Sequence, residues 1–371
     1  MMTVPVNEPL LSGNEKKYLV ECIESGWISS EGPFVQRFEE DMSQRVMRKY
    51  GIAVCNGSLA LDAAVTALRL GPGDEVIMPA FTIISCPAAV ARAGATPVLV
   101  DSDPLTWCMD VNQIEAKITR KTRAIMVVHI YGLPVDMDAV IALAERHGLR
   151  IIEDAAEAHG LYYKERPCGS FGNISTFSFY PNKHVTTGEG GMLLTDDPEL
   201  AERSRMLRNL FFMPERRFVH DELGWNLRMS NLQAALGVAQ LERLDDAVRR
   251  KRHMGKRYTE ALRGITGVQL PCERTPYAEN IYWVYGVVLD AAIGFDASQA
   301  MDKLRVRGVG TRPFFWPMHE QPALQKMGLF RGERYPVAER LARRGFYLPS
   351  GLALTGEQMD YVVDEFRAIL P

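Results

Sequence analysis

The sequence predicts an α/β fold in two domains: a large domain around a mostly parallel β-sheet, and a smaller α+β domain at the C-terminal end. From Asn56 onward, amphipathic helical stretches alternate with short apolar runs, which is typical of βα units around a parallel sheet. The chain has 371 residues, 47% of them hydrophobic, which is long for one domain of typical size. We therefore place the large domain at residues 1–245 and the small domain at residues 246–371.

Four apolar runs are predicted as strands of the large sheet, because each is followed by polar residues or by glycine and proline. They are residues 75–78, 97–100, 124–130 and 149–153. Ligands of open α/β sheets bind beyond the carboxyl ends of the strands. The side chains that follow these runs are therefore the first candidates for a site: Phe81, Asp101, Tyr131 and Asp154.

The second half of the chain is predicted to connect the two domains and to complete the smaller one. Residues 230–263 form one long helical pattern with an apolar stripe, and Ser230 or Asn231 is its expected N-cap. Strands are expected at residues 282–289 and 309–315, and a closing helix at residues 356–370. The small domain therefore contains both helices and strands.

Composition and charge exclude several classes of partner. The formal net charge is -3, from 43 basic and 46 acidic residues mixed along the chain, so no broad field favours nucleic acid or an anionic membrane. The opening residues 1–8 lack a secretory pattern, and no apolar stretch is long enough to span a bilayer. The six cysteines form no paired motif and have no histidine cluster nearby, so we expect neither disulfides nor a bound metal. A reducing cytoplasm is the expected location.

One segment, residues 175–191, reads STFSFYPNKHVTTGEGG and places Lys183 between an aromatic strand and a glycine-rich loop. The strand would fix the lysine on a rigid support, and the glycines would let a ligand approach closely. A lysine amine has an ordinary pKa of about 10.4, so it acts as a nucleophile only where desolvation or nearby charge lowers that pKa. Taken alone, the segment also allows a solvated surface lysine.

Two further segments carry weaker signals. An apolar strand ends in acids at Asp154, where a carboxylate could pair with the positive ring nitrogen of a cofactor, or could merely cap the next helix. A turn at residues 55–58 opens a helix whose N-terminus could hold a phosphate group, or could be simply capped. The glycine motifs of nicotinamide-binding and P-loop proteins are both absent from the sequence.

The order of these motifs resembles the sugar aminotransferase family typified by the DegT, DnrJ, EryC1 and StrS proteins. The resemblance covers nearly the whole chain, and the matching segments are NGSLAL, EDAAE, SFSFYPNKHVTTGEGG, WNLRMSNLQAA, SGWISS and TRPFFWPMH. It implies the pyridoxal-phosphate (PLP) fold type I, which is aspartate-aminotransferase-like, and a homodimer with active sites at the subunit interface. It also implies transfer of an amino group from L-glutamate to a nucleotide-linked keto-sugar.

The resemblance assigns roles to individual residues. Lys183 would be the catalytic lysine that holds PLP covalently, Asp154 would pair with the ring nitrogen, and Glu157 would contact the ring hydroxyl. The residues implied to hold the phosphate are Gly57, Ser58 and Ser178, together with Asn226 from the partner subunit. Many relatives also have an aromatic residue where this chain has Ile83, so Phe81 or an apolar contact would take over stacking on the ring.

Within the family, SGWISS, VHIYG and RPFFWPMH fit best the members that aminate C4 of GDP-4-keto-6-deoxy-D-mannose, a reaction of O-antigen and lipopolysaccharide biosynthesis. Four residues become candidates for contacts to the sugar or the nucleotide: His129, Tyr131, Arg312 and His319. Each of them could equally be a packing residue or a hydrogen-bonded polar group of the core.

Three alternatives stay open from the sequence. The first is a UDP- or dTDP-linked keto-sugar as substrate. The second is a PLP-dependent sugar dehydratase, although such relatives have histidine in place of the lysine, and the flanking motifs here keep Lys183 rather than His184 in register. The third is a non-catalytic sensor that binds PLP on the same fold.

Overall fold

The structure, a computed structural model, describes residues 2–213 and 215–371. Its strands, in chain order, are β1 (Tyr50–Val54), β2 (Glu75–Pro79), β3 (Thr96–Val100), β4 (Thr122–Val128), β5 (Arg150–Asp154), β6 (Tyr162–Tyr163), β7 (Arg166–Pro167), β8 (Ile174–Ser178), β9 (Gly191–Thr195), β10 (Val268–Gln269), β11 (Arg274–Thr275), β12 (Ala278–Glu279), β13 (Tyr285–Leu289), β14 (Arg312–Pro313) and β15 (Gly345–Leu348).

The described α-helices are α1 (Glu15–Ser25), α2 (Pro33–Arg45), α3 (Gly57–Ala67), α4 (Ser85–Arg92), α5 (Met137–His147), α6 (Pro198–Arg208), α7 (Asn231–Leu241), α8 (Leu244–Leu262), α9 (Ala297–Arg305), α10 (Pro322–Lys326), α11 (Pro336–Arg344) and α12 (Gly356–Ile369). None of the helices in residues 2–213 and 215–371 combines the length and the apolar character that crossing a bilayer requires.

The large sheet has seven strands in the order β1-β9-β8-β5-β4-β2-β3. The five neighbouring strands β8, β5, β4, β2 and β3 pair in parallel, and β9 pairs antiparallel with both β8 and β1. All four predicted strands of this sheet are present, as β2, β3, β4 and β5. Their side chains are largely buried because a parallel sheet is covered on both faces. The α/β prediction is confirmed.

A second sheet, with the order β10-β13-β15-β14, is antiparallel and lies in the C-terminal part of the chain. The predicted strand at residues 282–289 is present as β13, but the strand predicted at residues 309–315 shortens to β14. The reason is that Val309 pairs with Val4 of the N-terminal segment, so the chain joins the sheet only at Arg312.

The helical region predicted at residues 230–263 is two helices, α7 and α8, rather than one. The expected N-cap is confirmed: Ser230 accepts a hydrogen bond from the backbone N–H of Gln233, whose side chain in turn accepts one from the backbone of Ser230. The break falls at Arg243, whose φ of -113° and ψ of 12° lie outside the helical region. The predicted closing helix is present as α12.

Buried apolar side chains form two clusters. The larger one surrounds the seven-stranded sheet. The smaller one joins the end of α8 to β13, α9 and α12, and includes Val4. Helix α8 contributes to both clusters, and the division at residue 245 stays a prediction.

Candidate active site

A cavity of about 850 Å³ opens at the carboxyl ends of β4, β5 and β8, where parallel sheets place their ligands. Its walls come from the N-terminal ends of α3 and α4 and from segments of the second half of the chain. The predicted site residues on its lining are Gly57, Ser58, Asp154, Glu157, Ser178, Lys183 and Arg312.

Lys183 projects into this cavity from a turn after β8, where its backbone N–H donates to the carbonyl of Tyr180 at 2.9 Å. Its side chain is 9% exposed, and Nζ lies 3.8 Å from Oε1 of Glu157. Burial lowers the pKa of Lys183, while the nearby charges of Glu157 and Asp154 raise it. The amine is therefore held closer to its neutral, nucleophilic form than a surface lysine is.

The TTGEGG tail folds back and fixes the loop that carries Lys183. The hydroxyl of Thr186 and the backbone N–H of Thr187 both donate to the carbonyl of Phe179, each at 3.0 Å. Gly188 has a φ of +79°, a left-handed conformation that strains other residues, and its N–H donates to Oγ1 of Thr186 at 3.0 Å. The rigid support expected from the sequence is present.

Asp154 is the last residue of β5 and is 2% exposed. One carboxyl oxygen accepts from the backbone N–H of Ala156 at 3.0 Å, and the other from the thiol of Cys86 at 3.3 Å. Burial raises the pKa of Asp154. A buried carboxylate with such weak donors gains most from a positive group facing it, so this position fits a protonated ring nitrogen.

Glu157 lies opposite Lys183 on the turn that follows β5. Its Oε2 accepts a hydrogen bond from the backbone N–H of Tyr131 at 2.8 Å. Burial raises the pKa of Glu157 to about 8, although the charge of Lys183 acts in the opposite direction. The carboxyl can therefore be neutral near physiological pH and can donate a hydrogen bond to an oxygen in the cavity.

The N-terminus of α3 fits a phosphate group. A Cβ atom added to Gly57 would lie 2.6 Å from Cβ of Ser178, so glycine is needed for the helix to approach β8 this closely. The hydroxyls of Ser58 and Ser85 lie 2.6 Å apart on the cavity wall. Hydroxyls and free backbone N–H groups at a helix N-terminus together provide donors for a phosphate.

Other predicted residues lie off this lining. His129 is fully buried and shares a hydrogen bond with Glu153 at 2.9 Å. His319 is buried beside Glu339 at 3.2 Å, and Arg334 also binds that carboxylate. These contacts agree with the alternative that the sequence left open, in which both histidines are hydrogen-bonded polar groups of the core.

Aromatic packing removes two further candidates from the cavity lining. Tyr131 is buried and packs edge-on to Phe81 at 5.9 Å between ring centroids. Phe81 is itself fully buried in this aromatic cluster, whereas Ile83 is 40% exposed and lines the cavity.

The predicted phosphate contact Asn226 is exposed, and its backbone forms an antiparallel β-bridge with Asn209. Asn226 is not on the cavity lining of this subunit, but the neighbouring Trp225 is.

Four aromatic residues of the second half line the cavity, Trp225, Trp283, Phe315 and Tyr347, and none of them was predicted as a site residue from the sequence. The ring centroid of Trp283 lies 3.7 Å from Nζ of Lys183. Burial raises the pKa of Tyr347 to about 12, although the adjacent guanidinium of Arg312 acts against that shift. No local motif marks Trp283 or Tyr347, since each reaches the site only through the packing of distant segments.

The fold and the site together define a PLP-dependent enzyme. The cavity combines a buried lysine, a buried acid at the end of a parallel strand and a helix N-terminus with hydroxyls, a set of groups that fits the aldehyde, the ring nitrogen and the phosphate of PLP. The model of the DegT/DnrJ/EryC1/StrS aminotransferase family matches residues 9–367. The chain belongs to this family.

Known proteins agree with this assignment over nearly the full chain. GDP-perosamine synthase from Escherichia coli O157:H7 is 40% identical over 367 residues, covering 99% of this chain and 98% of that protein. GDP-perosamine synthase from Caulobacter vibrioides is 39% identical, with the same coverage. The expected family is confirmed.

Solved structures give the same result. The aminotransferase TlmJ from Streptoalloteichus hindustanus superimposes with a TM-score of 0.92 at 31% identity, covering 99% of this chain and 98% of that one. DesV from S. venezuelae, solved in complex with a ketimine intermediate, gives a TM-score of 0.89 at 35% identity, covering 96% and 94%. The chain is a PLP-dependent sugar aminotransferase of fold type I.

Proposed function

We propose that this enzyme transfers an amino group from L-glutamate to C4 of GDP-4-keto-6-deoxy-D-mannose and so forms GDP-perosamine. The observation that carries the proposal is the buried amine of Lys183, with Nζ 3.8 Å from Glu157 in a cavity of about 850 Å³. Support for a GDP-linked sugar comes from relatives named GDP-perosamine synthase, at 37% to 40% identity over at least 96% of this chain.

Bound PLP supplies an aldehyde carbon that carries the amino group and a ring that accepts electrons from the reacting carbon. Lys183 holds the cofactor and, once free, moves protons through Nζ. It removes the proton from the carbon that bears the amino group of glutamate, and in the second half of the reaction it delivers a proton to C4 of the sugar. Burial favours the neutral amine for the first role, and Glu157 and Asp154 favour the ammonium form for the second.

Asp154 keeps the ring nitrogen protonated, and Glu157 contacts the ring hydroxyl. The phosphate is held by Gly57, Ser58 and Ser178, with Asn226 contributed by the partner subunit of a homodimer. The N-terminus of α3 supports the first part of this proposal, and the exposure of Asn226 supports the second.

Arg312 is the substrate contact that the geometry supports best among the four candidates. Its side chain is exposed on the cavity wall beside Tyr347, and no acid of the described residues forms an ion pair with it. A free guanidinium at this place suits the diphosphate of a sugar nucleotide. For His129, Tyr131 and His319, the buried contacts favour a role in packing.

The alternatives differ in what they need from the site. A dehydratase of this family would have histidine in place of the lysine, so the buried Lys183 weighs against it. The presence of Lys183, Asp154 and Glu157 together on one cavity wall weighs against a non-catalytic sensor. A UDP- or dTDP-linked sugar would need the same catalytic groups and differs only in the base. We also propose a cytoplasmic location, which the six free cysteines support.

The test is to supply the purified, PLP-loaded enzyme with L-glutamate and a panel of GDP-, UDP- and dTDP-linked 4-keto-6-deoxy sugars. We expect 2-oxoglutarate and an aminated GDP-sugar in equal amounts, identified by mass spectrometry and NMR. A deoxygenated sugar with free ammonia would instead show a dehydratase. A protein that binds PLP but forms no pyridoxamine phosphate with glutamate would instead be a sensor, and a dominant UDP or dTDP product would contradict the proposed nucleotide.

A further inference from the structure

Trp283 contacts Lys183 at both ends of the lysine. The indole ring lies against the amine, with 3.7 Å between Nζ and the ring centroid. The indole Nε1–H donates to the carbonyl of Asn182 at 2.8 Å, and that carbonyl belongs to the peptide bond that precedes Lys183. One side chain therefore touches the reacting amine and also fixes the backbone from which it projects.

Trp283 is itself held firmly in place. It is 4% exposed, and its backbone carbonyl accepts a hydrogen bond from Nζ of Lys251 at 2.8 Å. Lys251 is a buried residue of α8 that also donates to the carbonyl of Ser350. The rings of Tyr131 and Tyr347 pack beside the indole, at 5.7 Å and 6.4 Å between centroids. The indole therefore has little freedom to leave the amine.

We propose that Trp283 is a positioning residue that holds the amine of Lys183 toward the cavity and stabilises its ammonium form. The inference rests on the role of Lys183 under the proposed function. An aromatic face attracts a cation, and the attraction grows when both groups are desolvated. The ring therefore offsets part of the desolvation of the ammonium group and adds no second full charge.

The charged and titratable groups around this amine come from several elements. Glu157 and Asp154 favour its ammonium form. Burial lowers the pKa of His159 to about 3 and that of Lys251 to about 7, and it also depresses the pKa of His184. His159 and His184 therefore add little positive charge at neutral pH, and Lys251 loses its charge as pH rises above about 7. At alkaline pH, removal of the ring changes the balance at Lys183 without a competing titration of these three groups.

The test compares Trp283→Leu, which removes the aromatic face, with Trp283→Phe, which keeps a face but loses the indole donor. The amines of the full-length, cofactor-free protein are labelled with trace acetic anhydride across a range of pH, and the Lys183 peptide is quantified by mass spectrometry. We expect the apparent pKa of Lys183 to fall by about 1 in Trp283→Leu and by less in Trp283→Phe. The control is Trp316→Leu, because Trp316 is exposed and has Arg343 over its ring away from the cavity lining.

An unchanged labelling profile in Trp283→Leu would overturn the inference, whatever happens to turnover. If that variant does not fold, an unchanged profile in Trp283→Phe, together with an unchanged pH dependence of the bound cofactor's absorbance, would overturn it as well. Failure of the proposed function is a separate result, because it would appear in the products of the wild-type enzyme: no 2-oxoglutarate, a deoxygenated sugar, or an aminated sugar on another nucleotide.

Discussion

Glu153 and Asp154 are neighbours at the end of β5, but strand alternation sends their side chains in opposite directions. Glu153 accepts hydrogen bonds from His129 at 2.9 Å and from the backbone N–H groups of Gly169 at 2.5 Å and Phe171 at 2.8 Å. Glu153 is fully buried, and both of its carboxylate oxygens accept hydrogen bonds. Its carboxylate joins β4, β5 and the loop before β8.

Asp154 is buried to a similar extent but has weaker partners, and it faces the cavity. Burial raises its pKa, because a thiol and one backbone N–H do not replace the lost water. The difference shows how to separate two buried acids. The one whose lone pairs are all satisfied by the fold is structural, and the one that still needs a cation is functional.

The largest effect is expected at Lys183, whose amine lines the same cavity as Asp154. Lys183→Ala should lower turnover by about 10⁴-fold or more, because it removes the proton-transferring amine, and it should leave no cofactor attached after borohydride reduction. Turnover is measured as 2-oxoglutarate formed from glutamate. Lys164→Ala is the matched control, since Lys164 is an exposed lysine paired with Asp138. Turnover retained in Lys183→Ala would show that this amine is not the proton-transferring group of the site.

The comparison itself is tested by paired amide substitutions. Asp154→Asn should lower kcat by about 10² to 10³-fold, because the ring nitrogen loses its ionic partner, with little change in Tm. Glu153→Gln should leave kcat unchanged and lower the free energy of unfolding by about 1–3 kcal/mol, since it disturbs a satisfied buried network. Steady-state kinetics and thermal unfolding separate the two effects. Equal kinetic losses in both variants would show that the two acids do not differ in role.

Much of the cavity could be predicted from sequence because its residues lie in short motifs at strand ends. Lys183, Asp154 and Ser58 each follow or end a predicted strand or begin a helix, so local pattern places them at one edge of the sheet. Sequence could not separate His129 from a ligand contact, because a histidine in an apolar run looks the same whichever partner it meets. The contact of Trp283 with Lys183 could not be predicted from the sequence, since only the packing of distant segments brings the two together.

The same distinction between satisfied and unsatisfied charges applies to arginines. Arg312 lies on the cavity wall without an acidic partner among the described residues. Arg312→Met should raise the KM for the sugar nucleotide by about 10-fold with a smaller change in kcat, as expected for the loss of a charge-assisted contact. Arg257→Met is the control, since Arg257 is bound by Asp360 on the surface. A KM that stays constant in Arg312→Met would exclude this residue from the substrate contacts.

The smallest effect concerns Glu157, which lines the cavity together with Asp154. Burial raises the pKa of Glu157 to about 8. Unfolded, the same carboxyl has an ordinary pKa near 4.5. Between these two values the folded protein keeps a proton that the unfolded chain has lost. The contribution of Glu157 to stability therefore decreases as pH rises through this window.

Glu157→Gln cannot ionise and should escape that loss. Relative to wild type, the cofactor-free variant should gain about 1–2 kcal/mol between pH 5 and pH 8, or a few degrees in Tm. The lowered pKa of Lys183 gives wild type a trend of the opposite sign, and Glu157 itself raises that pKa. The same pair is therefore also compared in a Lys183→Ala background, where the difference reports Glu157 alone. Thermal unfolding at several pH values measures it. A Tm difference that does not vary with pH would mean that Glu157 is ionised throughout, and would place it with Glu153 among the acids that the fold satisfies.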